Sequence, residues 1–178
     1  MYEEIILKEI HKTNSEIRNN SDAACHKQGM QLLADTISLI VTYSIIARKE
    51  GLLALEEAVY SRKDNDYLRR LVLLVVDGTD PDYTLNLGLF RYMQKREMGF
   101  EGLNMLLILS GILMIQSDEN PILIREQLLC MVPEEIENLL DLPQESDLLD
   151  GIGPYNKNTL TQIEIVYLFE ASGIMVEA

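Results

Sequence analysis

Apolar side chains return at every third or fourth position along most of this chain, the period of a helix with one buried side. The longest such pattern runs from Asp22 to Arg62 and places Met30, Leu33, Ile37, Ile40, Ser44-Ile45, Leu52, Leu55 and Val59 on one face, with Ser21 or Asp22 as its cap. Gly51 sits inside that pattern. A glycine within a helix costs about 0.5–1 kcal/mol relative to alanine, so its presence predicts the close approach of another backbone. Upstream, Tyr2 to Arg18 forms a polar helix with a thin apolar side (Ile5, Ile6, Ile10, Ile17), broken near Asn19-Asn20-Ser21.

Downstream, Asp64-Asn65-Asp66 ends the long helix and caps Tyr67 to Val76. The β-branched second half of that segment also suits a strand, and helix is the preferred reading. Asp77-Gly78 closes it, and Asp80 followed by Pro81 opens a helix to about Met98. Gly99 stops that one, Phe100 to Ile115 forms an almost wholly apolar helix, and Ser117 to Pro121 opens Ile122 to Met131. Pro133-Glu134-Glu135 starts a short helix to Leu140, with acids where the helix dipole favours them. Pro143, Gly151, Gly153 and Pro154 mark 142–158 as a linker, leaving 159–178 as a helical tail. The predicted fold class is all-α: an irregular multi-helix bundle of about eight helices, its domain spanning 1–141, with no strand.

Composition narrows the function. Hydrophobic residues at 47% supply a core, built from Leu, Ile, Val and Met because Trp is absent and aromatics reach only 6%. Fifteen Lys+Arg against twenty-nine Asp+Glu leave a net charge of −14, which repels phosphate backbones and anionic lipid headgroups. Nucleic acid is therefore not an expected partner. Cys25 and Cys130 form no spacing motif and read as free thiols of a reducing cytoplasm. The acidic start, Met1-Tyr2-Glu3-Glu4-Ile5, is unlike a secretory signal. The most apolar run, Gly102 to Ile115, spans about 21 Å against a hydrocarbon core of roughly 30 Å. Met30 to Ala47 is longer but carries Asp35, at about 2.5–3.5 kcal/mol in mid-membrane. The expectation is a cytoplasmic protein with no membrane span.

Catalytic chemistry finds little to work with. His11 and His26 are the two histidines. Cys25 and His26 are sequence neighbours, which a helix turns about 100° apart, so they cannot pair as nucleophile and base. A surface histidine beside a half-buried cysteine is the expectation. The carboxylates of Asp77, Asp80 and Asp82 have the wrong order for a calcium loop and are explained by a turn and an N-cap. Gly151-Ile152-Gly153 lacks the third glycine of a phosphate loop. The basic pairs Arg48-Lys49, Arg62-Lys63, Arg69-Arg70 and Lys95-Arg96 each lie beside acids. The expectation is a non-enzyme with no cofactor and no metal.

One stretch is more specific. Ala47-Arg48-Lys49-Glu50-Gly51-Leu52-Leu53-Ala54-Leu55-Glu56-Glu57 is followed some twenty residues later by Leu74-Val75-Val76-Asp77-Gly78-Thr79-Asp80-Pro81. In that order and near that separation, the two resemble motility protein A, the ion-channel subunit of the flagellar motor stator. The similarity covers roughly Gln31 to Glu97. It continues more faintly from Gly99 to Pro121. The resemblance implies a cytoplasmic helix whose charged pair, here Arg48 and Glu56, faces a protein partner, the switch protein of the flagellar rotor. On an unbroken helix these two stand about 80° apart, while Lys49 and Glu56 are about 20° apart, so Lys49 shares the role. Glu57 completes the partner-binding set. The family's two spans before this region have no counterpart here, and the signatures of its third are absent. No ion pathway carries over. The competing expectation is a helical scaffold or homo-oligomer of another pathway, with Arg48 as surface decoration.

Overall fold

The structure, a computed structural model, describes residues 2–18, 23–61, 65–95 and 99–140. Among them are seven α-helices and a 3₁₀ turn. They are α1 (Tyr2–Arg18), α2 (Ala23–Glu50), α3 (Leu52–Ser61), α4 (Asp66–Val76), α5 (Pro81–Lys95), α6 (Gly99–Gln116) and α7 (Pro121–Cys130), then the 3₁₀ helix Glu134–Leu139. The protein is an all-α multi-helix bundle. The expected caps at Ser21 or Asp22, the linker 142–158 and the tail 159–178 lie outside the described residues.

The boundaries follow local chemistry. Asn65 caps α4 by accepting the Tyr67 and Leu68 amides at 3.0 and 3.2 Å. The Asp80 carboxylate accepts the Asp82 amide at 2.9 Å, and the Asn120 side chain accepts that of Ile122 at 2.9 Å, each just ahead of a proline that opens its helix. Gly78 turns left-handed at φ +70° while Thr79 donates back to the Leu74 carbonyl at 2.9 Å, closing α4. The Tyr67–Val76 ambiguity resolves to helix, with Tyr67, Leu68, Leu71, Val72 and Val75 buried at helical spacing.

The long helix expected through Arg62 is two helices. Gly51 takes φ +90°, a conformation that L side chains rarely adopt, and separates α2 from α3. The predicted close backbone approach is absent there: an added Cβ at Gly51 would meet nothing within 4 Å. The close approaches occur at other glycines. An added Cβ would stand 2.1 Å from the Phe100 ring at Gly29, 2.5 Å from Ile40 Cγ2 at Gly111, and 2.3 Å from Leu109 Cδ1 at Gly88. They are the crossings of α6 with α2 and α5.

α6 is the axis of the bundle and touches α1, α2, α4, α5 and α7. That placement explains its sequence, since a helix surrounded on all sides has no polar face to keep. Leu103, Leu106, Leu107, Leu109 and Ile112 are completely buried. The single amide among them, Asn104, accepts the Thr36 hydroxyl of α2 at 2.6 Å. α1 is fastened at three points. Asn14 donates to the Met131 carbonyl at 3.0 Å, Tyr92 donates to Glu9 at 3.0 Å, and the Gly99 amide donates to Glu16 at 3.3 Å.

The expectation of no membrane span is corrected. α2 and α6 are both long and apolar enough to cross a bilayer. The unbroken apolar run is shorter than the helix that holds it, since α6 extends to Gly99 and Gln116, about 27 Å. Asp35 does not exclude α2, because one carboxylate sets only about 2.5–3.5 kcal/mol against a helix of 28 residues. In the bundle, about two thirds of α6 and half of the most apolar stretch of α2 are buried against protein, so these side chains also form the core.

Tyr67 carries the clearest titration consequence. Its hydroxyl, buried between α4 and α5, donates to the Gly88 carbonyl at 3.1 Å, and burial pushes its pKa far above the ordinary phenol value. The folded phenol keeps its proton where the unfolded chain has released it. Stability is therefore fully present below the ordinary value near 10 and declines as pH rises past it. Tyr92 and Cys130 shift the same way, burial being the first cause in both. In denaturant titrations across pH 8–11.5, Tyr67→Phe is expected to lose about 1 kcal/mol at pH 8. Its decline above pH 10 should be shallower than that of the unsubstituted chain. Equal slopes would refute the assignment.

Candidate protein-docking surface

The resembling segment forms the α2–α3 junction. The last turn of α2 ends in Arg48, Lys49 and Glu50, all exposed, and two of these are cations where the negative end of the helix dipole favours them. After Gly51, α3 turns Leu55 and Val59 inward, so its outward side is set by that pair. Leu53, Glu57 and Tyr60 follow at four and three residues and share the solvent face. Leu53 is 73% and Tyr60 56% exposed, the most exposed of the large apolar side chains on α3. Glu56 is half-buried at the edge of this face.

The predicted site residues thus lie at one surface junction, with a changed relation between them. Arg48 and Glu56 sit on different helices, and the angles of about 80° and 20° derived for an unbroken helix do not apply. Leu52, in the first turn of α3, is on the side of Leu55 and Val59 yet is exposed. Sequence reasoning missed Leu53 and Tyr60 as surface residues. The signal was present, because both fall out of phase with Leu55 and Val59 on any helix.

Behind the junction, α3 packs directly on α4. The two motif segments, separate in sequence, are therefore neighbours in space. α4 begins with an ion-pair cluster in which Asp66 accepts from Arg69 and, at 2.7 Å, from Arg70. The hydrogen bond from Arg70, then that from Arg69, holds the Asp66 carboxyl below the usual carboxylate value. Both cations lean on their own helix, in i,i+3 and i,i+4 pairs at the solvent boundary.

Asp77 is the C-cap of α4 and Asp80 caps α5, which accounts for two of the loop's three acids. Among the described residues, no group of three or more His, Cys, Asp and Glu side chains is arranged to hold a metal ion. Cys25 and His26 are the reverse of the expectation. Cys25 is exposed, and His26 is half-buried edge-on to the Phe100 ring, with centroids 5.3 Å apart. Cys130 is exposed as well.

The class that fold and surface define is an all-α bundle presenting a mixed apolar and charged helical junction. Comparison of the chain with protein-family models, with curated proteins and with solved structures returns no match.

Proposed function

We propose that this chain is a protein-docking module akin to the cytoplasmic, rotor-facing region of a flagellar stator A subunit, with the α2–α3 junction as its contact surface. The carrying observation is that the junction stands exposed with Arg48, Lys49, Leu53, Glu57 and Tyr60, while Leu55, Val59 and α4 hold it from behind. An aromatic anchor beside charges of both signs is the composition that protein interfaces favour. Tyr60 and Leu53 would supply desolvated contact area. Arg48, Lys49 and Glu57 would set orientation and association rate, and binding should weaken as salt screens them.

Photo-crosslinking tests this reading. A photoreactive residue at position 53 or 60 of the full chain should capture one and the same protein in cells, and one at Glu101 should not. Arg48→Glu is expected to lower that yield about tenfold, equivalent to about 1.4 kcal/mol, and a reversed charge on the captured protein should restore it. Capture of a flagellar rotor component ties the module to motility. An unchanged yield in Arg48→Glu discards the docking surface.

A further inference from the structure

A single residue, Gly51, separates α2 from α3. It holds φ +90°, with nothing within 4 Å of where a Cβ would stand. The helical hydrogen-bond ladder reaches it from both sides. Its amide donates to the Ala47 carbonyl at 3.0 Å, and its carbonyl accepts from the Leu55 amide at 3.3 Å. Glycine populates right- and left-handed backbone about equally. With helical backbone angles at this one residue, α2 and α3 would fuse into a rod from Ala23 to Ser61. Leu52, Leu53 and Ala54 would then donate to the carbonyls of Arg48, Lys49 and Glu50.

Side-chain phase suits the rod as well as the bend. Leu55 follows Ile37, and Val59 follows Val41, by about five helical turns, so all four would share one stripe. All four are buried in the bent form too. Straightening, however, lifts α2 off α6, α7 and the 3₁₀ helix of its own chain. The face it leaves on α6 runs through Phe100, Asn104 and Gly111, and its relief is specific. Phe100 is a knob that Gly29 receives, Gly111 is a notch that Ile40 fills, and Asn104 accepts the Thr36 hydroxyl at 2.6 Å. Left bare, this face of an apolar helix is costly in water. The occupant that meets all three features without adjustment is α2 of a second copy.

We propose that Gly51 is a hinge through which two copies of this chain exchange α2, each rod seating its α2 against the α6 of the other copy. The exchange goes beyond the docking reading and stands without it. Sedimentation of the full chain tests it. An L side chain is strained at φ +90° and at ease in a helix, so Gly51→Ala favours the rod. It should lower the dimer dissociation constant about a hundredfold, roughly tenfold for each of the two joints. Gly51→Asn, which tolerates the left-handed region better, should shift it less. In a dimer refolded from carbon-13-labelled and unlabelled chains, the Ile40 methyl groups of one copy should show magnetisation transfer to Gly111 of the other. The unsubstituted chain, refolded at high concentration, should give the same transfer and decides the matter if Gly51→Ala does not fold. A folded Gly51→Ala with an unchanged dissociation constant would overturn the proposal. So would a dimer, of either chain, in which Ile40 meets Gly111 only within its own copy, or no dimer from the concentrated unsubstituted chain.

Discussion

Leu106→Ala is expected to remove about 2–5 kcal/mol of stability and to lower the melting temperature by roughly 10 °C. Leu106 lies on the central helix and is completely buried. Its helix is enclosed by α1, α2, α4, α5 and α7, so the walls around the deleted atoms belong to several elements at once. Such walls relax poorly, and the cavity cost adds to the lost transfer energy. Leu53→Ala removes the same atoms from a side chain that is 73% exposed and should change stability by less than about 0.5 kcal/mol. Urea unfolding of both variants makes the comparison. Equal losses would mean that α6 is not the axis of the core.

Gly111→Val is the second large effect, with the opposite geometry: too many atoms instead of too few. An added Cβ would stand 2.5 Å from Ile40 Cγ2 and 2.8 Å from its Cδ1, and valine brings two further methyl groups. Glycine is the poorer helix former by a fraction of a kcal/mol, so in open space the substitution would stabilise. Here overpacking dominates, and a net loss of about 1–3 kcal/mol is expected. Ile40→Ala in the same chain should return part of it, because the two changes share one space and are not additive. A thermal-unfolding cycle of the four proteins measures the coupling, and strict additivity would exclude the contact.

Much of this architecture is legible in the sequence, because it rests on local signals. Asn65, Asp80 with Pro81, and Asn120 with Pro121 each satisfy a helix start within their own few residues, and each starts a helix here. Met30, Leu33, Ile37 and Ile40 lie on the core face that their spacing announces. What the sequence hid depends on packing partners. Gly51 fits equally a close crossing or a left-handed joint, and only the surroundings tell them apart. Gly29, Gly88 and Gly111 draw no notice in a helical pattern, yet Phe100, Leu109 and Ile40 occupy the space beside them. The length of α6 was underestimated because its ends are fixed by Gly99 and by the left-handed Asp118, not by where hydropathy falls. At the α2–α3 junction the charges of Arg48, Lys49, Glu56 and Glu57 mark them in the sequence, whereas Leu53 and Tyr60, though out of phase with Leu55 and Val59, are apolar and are told from core residues by the exposure that packing leaves them.

The left-handed joint at Gly51 has a consequence for how this surface can change over generations. In one continuous rod, a single inserted or deleted residue swings everything beyond it by about 100°. Here α3 takes its rotation from Leu55 and Val59, so the azimuth of Tyr60 is insulated from the winding of α2. A length change in the last turn of α2 can thus turn Arg48 and Lys49 to a new direction while Tyr60 keeps its bearing.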